Sequence, residues 1–170
     1  VNDTAVIVGV DSAERTGIAV ICGARILRRG LCEVNDWQAV ERAADTIATF
    51  KPEVVAIEDV FVRLNNSTGL VLSRLLGRWL QAFERRGLAT VTVLASTWQP
   101  VILAGRMTTR TPGPERKLAC IAWALERFGI ALPEDQADAC AIAAWAQRSG
   151  LGPRTPSGPA AGRHAQTGAT

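Results

Sequence analysis

Residues 5–11 read Ala5-Val6-Ile7-Val8-Gly9-Val10-Asp11, a continuous apolar run that ends on an acid. Apolar residues without alternation mark a strand covered on both faces. An acid at the end of such a strand loses water that nothing apolar can replace. The same pattern recurs at Val54-Val55-Ala56-Ile57-Glu58. A third acidic segment places Asp135 and Asp138 three apart, just before the small apolar stretch Ala139 to Ala146. Positions three apart share one face of a helix. Two acids at strand ends and an i,i+3 pair opening a helix suggest a shared site for a hard divalent cation such as Mg²⁺, which takes oxygen ligands.

Working outward from the first strand, Gly17 to Cys22 and Ala24 to Val34 follow after short turns, the second at Gly23, and make an antiparallel meander. Asn35 or Asp36 can cap a helix from Trp37 to about Phe50, with Trp37, Val40, Ala44 and Ile47 on one face. Lys51-Pro52 stops it, and Glu53 to Glu58 is the next strand. Asn66 to Arg86 is a long helix whose apolar positions 72, 75, 76, 79, 80 and 83 repeat at helical spacing. Leu70 and Val71 broaden that stripe, which reads either as a deeply covered helix or as a subunit contact. Ala89 to Leu94 is a fifth strand. Ser96 or Thr97 then caps a short helix that ends by Gly105, with Pro100 in its first turn. Residues 105–114 form a basic loop, Glu115 to Phe128 a helix, and about Asp135 to Gln147 the last helix.

Strands joined by helices behind a leading meander predict an α/β fold with a mixed sheet. Ligands of open sheets gather beyond the carboxyl ends of the strands, where Asp11 and Glu58 fall. If those strands are neighbours, the last helix needs only to cross that edge to add Asp135 and Asp138. Four crowded carboxylates repel one another unless a counter-charge is present. Two divalent ions roughly 4 Å apart would supply it, and such a pair is the machinery of phosphodiester hydrolysis.

Composition narrows the function further. The 170 residues fit one domain, residues 1–149, followed by a Gly/Pro/Ala-rich tail, 150–170, too poor in large apolar side chains to fold. No apolar run approaches the roughly 18 residues of a membrane helix. No basic leader precedes a cleavable apolar segment, so the expectation is a cytoplasmic protein. Cys22, Cys32, Cys120 and Cys140 show no close spacing and read as reduced, mostly buried thiols. The single histidine, His164, lies in the tail, so the domain has no histidine for catalysis or metal ligation. Trp79, Trp98, Trp123 and Trp145 read as core anchors.

The net charge of +3 is modest, and Arg154 and Arg163 in the tail account for most of it. Binding to nucleic acid must then come from local clusters. Arg106, Arg110, Arg116 and Lys117 form one, opposed by Glu115. Arg63, Arg74, Arg78, Arg85 and Arg86 dot the segment after Glu58. Each alone reads as a solvated face; two clusters flanking the acids favour phosphate binding.

In this order the motifs resemble the RuvC-type Holliday-junction resolvases, nucleases of the ribonuclease H-like fold, over residues 5–146. Val8-Gly9-Val10-Asp11 with Thr16-Gly17 is similar to the family's first acidic strand and turn. Ala56-Ile57-Glu58-Asp59-Val60-Phe61 is similar to the second motif, with Asn65 where an asparagine often stands. Asp135 and Ala137-Asp138-Ala139 look like the third, and the basic loop before Lys117 resembles the segment that meets DNA phosphates. The resemblance implies a ribonuclease H-like five-stranded mixed sheet flanked by helices. It implies Asp11, Glu58, Asp135 and Asp138 as ligands of two Mg²⁺ ions, with Mn²⁺ as a substitute. Lys117 would stabilise charge at the scissile phosphate, with Arg116 beside it. Phe61 would stack on a junction base, a contact worth about 1–3 kcal/mol. Arg63, Asn65, Arg106 and Arg110 would contact DNA. The partners implied are branched DNA and a second copy, in a homodimer through the 66–86 helix, since two symmetric cuts require two sites.

Ser12-Ala13-Glu14-Arg15 departs from the Pro-Gly turn usual in that family, and Glu14 adds an acid near the site. The 105–114 loop looks expanded and carries Pro112-Gly113-Pro114, as would suit a phage version that also cuts flaps or forks. Other readings stand beside this one. Asp11 also fits a turn or cap, Glu58-Asp59 a charged strand exit, and Asp135 a helix cap with Glu134 or Asp138 reaching the metal instead. Phe61 also fits a core position, and Lys117 a solvated helix face. The rival functions are a ribonuclease H-like enzyme acting on flaps, forks or RNA, and a non-catalytic DNA-binding module. Actin-like sugar kinases open with a similar acidic strand, but the chain is short for their two domains and lacks their further glycine-rich phosphate loops.

Overall fold

The computed structural model describes residues 4–33, 36–59, 67–108 and 110–151. Phe61, Arg63 and Asn65 lie outside the described residues, as does nearly all of the 150–170 tail.

The meander is β1 (Val6–Asp11), β2 (Arg15–Cys22) and β3 (Arg25–Glu33), followed by α1 (Trp37–Thr49) and β4 (Val54–Asp59). Then come α2 (Ser67–Glu84), β5 (Thr90–Leu94), α3 (Ala95–Ile102), α4 (Gly113–Phe128) and α5 (Glu134–Arg148). The five strands form one sheet in the order β3-β2-β1-β4-β5. β2 pairs antiparallel with both β1 and β3, whereas β1–β4 and β4–β5 are parallel. This is the mixed five-stranded α/β sheet that the sequence predicts.

Strand periodicity assigns the two faces. Val8 and Val10 of β1, with Val55 and Ile57 of β4, point to one side and pack with Val40, Leu75, Trp79 and Phe83. Ile7 and Ala56 point to the other, where they meet α5 together with residues of α3 and α4. Period two then carries Asp11 and Glu58 to the α5 face.

On that face α5 lies almost directly on the sheet. Residues 139–147 are all buried, most of them alanine. Small side chains on the helix are only half of the reason. A Cβ at Gly9 would run into the backbone of Ala139 and Ala143, and one at Gly17 into the carbonyl of Asp135. Both glycines are therefore required by close approach of two backbones.

Asp36, one of the two residues expected to cap α1, does so: its carboxylate accepts from the Gln38 N–H at 2.8 Å. Other boundaries differ from expectation for physical reasons. β5 runs straight into α3, so Leu94 is the N-cap and neither Ser96 nor Thr97 serves. Pro100 consequently lies beyond the first turn of α3, where it removes one backbone donor. The short helix is held instead by its buried Trp98 and Ile102. α4 starts at Gly113, with Pro114 in its first turn, where a missing N–H costs nothing.

Candidate active site

Parallel pairing sets Val10 of β1 opposite Ile57 of β4. The next residue on each strand is an acid, so Asp11 and Glu58 sit side by side at the carboxyl edge of the sheet. α5 begins over that edge, where the Asp135 backbone rests on Gly17. Its first turns bring Glu134, Asp135 and Asp138 toward the strand acids. Ser12 ties the edge together by donating its hydroxyl to the Glu58 backbone carbonyl at 2.7 Å.

The electrostatics report this crowding. Burial first, and then the charges of Glu58, Asp138, Asp135 and Glu134, hold the Asp11 carboxyl well above its ordinary range. Burial pushes Glu58 up to about 7, aided by Asp138 and opposed by a hydrogen bond from Trp98. Burial likewise pushes Asp138 up to about 6; Glu134 and Asp135 add to the rise, while the Cys120 thiol and Lys117 oppose it.

Glu58, Asp138, Asp135 and Glu134 each face a different local partner. The Trp98 indole N–H donates to Glu58 Oε2 at 2.8 Å. The Cys120 thiol lines the same recess as Asp138, and its ionisation is pushed up by burial and by that carboxylate. Arg15 grips Asp135, with Nε and Nη2 at 2.9 and 2.8 Å from Oδ2. Lys117 pairs with Glu134. Among the described residues, no three His, Cys, Asp or Glu side chains are already grouped to hold a metal ion. The acids lie within one another's field, with Glu58, Asp135 and Glu134 each turned to its own holder.

The donor set suits a hard cation: carboxylate oxygens alone, half-buried, and mutually repelling. Asp11, Glu58 and Asp138 are the deepest of these, and Asp135 joins them if Arg15 lets go. Glu134 also lies in the field of Asp11 and Asp138.

The basic residues separate into two places. Arg116 and Lys117 line a recess of about 210 Å³ between α3, α4 and α5, together with Trp98, Cys120 and Asp138. Arg106 is not brought there. It forms a two-pronged pair with Glu126 in the last turns of α4, roughly 15 Å along the helix from Arg116. Arg110 is exposed in the loop before α4.

Arg15, Trp98 and Cys120 escape a reading of the sequence. Arg15 has a signal, since it follows the acidic strand end closely. Trp98 and Cys120 have none beyond their types, because both are core residues whose single polar atom happens to face an acid.

No protein-family model matches the sequence, and no curated protein matches it either. Solved structures do match, at the level of fold: the mixed sheet and its helices superpose on those of Holliday junction resolvases. Two of the matches are Thermus thermophilus RuvC, one of them in complex with a Holliday junction substrate. That complex is 21% identical, with a TM-score of 0.66, over 87% of this chain and 98% of the other. The other Thermus thermophilus RuvC structure is 22% identical, with a TM-score of 0.67, over 86% and 98%. The yeast mitochondrial Holliday junction resolvase Ydc2 is 13% identical, with a TM-score of 0.51, over 87% and 80%. The likeness is one of fold: this chain folds as RuvC does.

Proposed function

We propose that this chain is a divalent-metal-dependent, structure-specific endodeoxyribonuclease of the RuvC type that cuts four-way DNA junctions. The observation that carries the reading is the carboxyl edge of β1 and β4. There Asp11 and Glu58 lie adjacent and half-buried, and α5 is seated to bring Asp138 and Asp135 toward them. A protein gains nothing from burying like charges together unless something positive binds them. When bound, a pair of Mg²⁺ or Mn²⁺ ions would neutralise the acids and promote attack of water on a phosphodiester.

The chain's own residues supply the rest. Asp11, Glu58, Asp135 and Asp138 would hold the cations at the sheet edge, where the scissile phosphate is received. Lys117 leaves Glu134 for that phosphate, and Arg116 binds beside it. Arg110, in the loop before them, tracks a neighbouring strand, and Phe61, Arg63 and Asn65 contact the junction. Arg106, held by Glu126, contributes at most to an outlying arm. Leu70 and Val71 of α2, 58% and 43% exposed, form part of a homodimer surface that places two such sites on one junction. The products are 5′-phosphate and 3′-hydroxyl ends. A cytoplasmic role in DNA recombination and repair follows; among the described residues no helix is long and apolar enough to cross a membrane.

The test compares the purified chain on a four-way junction, a flap, a fork and linear duplex, with Mg²⁺ or EDTA. Paired symmetric nicks in the junction, absent with EDTA, are expected. Preferred cutting of flaps or forks would move the substrate class. Binding without cutting on every substrate would leave a DNA-binding module instead.

A further inference from the structure

Glu58, Glu134, Asp135 and Asp138 are held in two chemically different ways. At the rim, Asp135 and Glu134 are held by charged groups, Arg15 and Lys117. Deeper, Glu58 accepts from a neutral donor, the Trp98 indole N–H, and Asp138 lies beside another, the Cys120 thiol, in the same recess. Both neutral donors come from one side, since Trp98, Cys120 and Asp138 line the same recess. Both are themselves buried, each 1% exposed.

The chemistry of these donors matters. An arginine or lysine at either place would cancel the acid's charge and compete with any cation. A bare carboxylate would be free to rotate and would lose hydrogen bonding along with water. An indole N–H is a donor only and carries no charge near neutral pH. A thiol is likewise a neutral, if weaker, donor. Each donor therefore occupies one oxygen, fixes the carboxylate plane and leaves the negative charge in place.

We infer that Trp98 and Cys120 are positioning residues of the cation site, neutral donors that orient Glu58 and Asp138 from the recess side while keeping them charged for a cation. This rests on the metal-nuclease reading above. Trp98 is placed for the task by the chain path. β5 pairs with β4 so that Val93 is level with Glu58, and α3 starts one residue beyond Val93's neighbour Leu94. The indole thus folds back over the end of β4. Cys120 lies on the buried side of α4, one turn after Arg116 and Lys117, which face the open side of the recess.

The measurement is Mn²⁺ binding to the full chain by titration calorimetry without DNA, near neutral pH, with thermal melts in EDTA to verify folding. Trp98→Phe keeps an aromatic ring and removes the donor. Cys120→Ala removes the other donor, and Cys120→Ser returns one as a hydroxyl. Trp98→Phe and Cys120→Ala should each weaken Mn²⁺ binding by about 10–100-fold, the usual effect of losing an outer partner of a metal ligand. Cys120→Ser should restore wild-type affinity. Unchanged affinity in the folded Trp98→Phe and Cys120→Ala proteins would overturn the inference. So would a Cys120→Ser protein as weak as Cys120→Ala, because packing and not donation would then be the cause. If Trp98→Phe fails to fold, the Cys120 series decides. Asp11→Asn separates the two levels: wild-type binding that this change removes supports the metal site itself. A wild-type chain that binds no Mn²⁺ would bring down the metal reading and the positioning roles with it.

Discussion

On one face of the sheet, Val8, Val10, Val55 and Ile57 meet Leu75, Trp79 and Phe83 through large side chains. On the other, Gly9 and Gly17 let the backbone of α5 rest on β1 and β2. Large side chains can change rotamer and share a volume change among several neighbours. Two backbones in direct contact have no such slack. The candidate site is built on the second face. Asp135 and Asp138 ride on α5, so the contact at Gly17 sets their distance from Asp11 and Glu58. A rigid seat suits a group of acids that repel one another, because nothing in their own interactions would keep them together.

The predictions that would break or sharpen this contrast run from total loss to a slight change. Asp11→Asn removes charge without changing shape. It should abolish junction cleavage while preserving or tightening DNA binding in gel-shift assays. Normal cutting by this variant would remove Asp11 from the site.

Gly17→Ala should be the most damaging small change on the tight face. The methyl group meets the Asp135 carbonyl, so α5 must lift or the strand must bend. Overpacking of this kind costs about 1–3 kcal/mol, sometimes more. Chemical denaturation should show that loss, and cleavage should fall even at temperatures where the variant is folded. Wild-type cleavage in Gly17→Ala would mean that the seat does not position the acids.

The pH dependence follows from burial of the acids. Glu58, lifted from 4.5 to about 7, and Asp138, lifted from 3.8 to about 6, bind protons more tightly folded than unfolded. Their stabilising contribution is complete below the unfolded values and is lost as pH rises through the folded ones. Metal-free protein should therefore lose stability between about pH 4 and 7. Glu58→Gln keeps an acceptor for the Trp98 N–H and removes the charge. It should melt like wild type near pH 4 and be more stable by about 2 kcal/mol at pH 8, measured in EDTA. A Glu58→Gln protein no more stable than wild type at pH 8 would show that Glu58 is not strained by its surroundings.

The slack face should answer mildly. Ile47→Val, in α1 and 2% exposed, should cost about 0.5–1.5 kcal/mol in denaturation and leave the cleavage rate unchanged. A large loss of cleavage here would erase the distinction between the faces.

Much of this was legible in the chain. The unbroken apolar run 5–10 and its terminal acid announce a covered strand with a functional end, and residues 54–58 repeat the message. Asp36 was legible as a cap because capping is a local matter of one side chain and the next N–H groups. The start of α3 was not: Ser96 and Thr97 carry the usual cap signal, but strand pairing through Leu94 decided where the helix began. The separation of Arg106 from Lys117 was equally hidden. Both belong to one basic cluster in sequence, and the length of α4 carries their partners Glu126 and Glu134 apart.

By itself, the sequence determined the strand and helix order, the acids at the ends of two strands and the pair spaced for one helix face. Those features depend on periodicity and on neighbours a few residues away. The tertiary structure alone decided that Trp98 and Cys120 face the deep acids while Arg15 and Lys117 hold the outer ones. It also decided that Gly9 and Gly17 are where α5 lands. Contacts of this kind join residues up to 120 positions apart, and their chemistry is set by which atom faces which once the sheet and helices have packed.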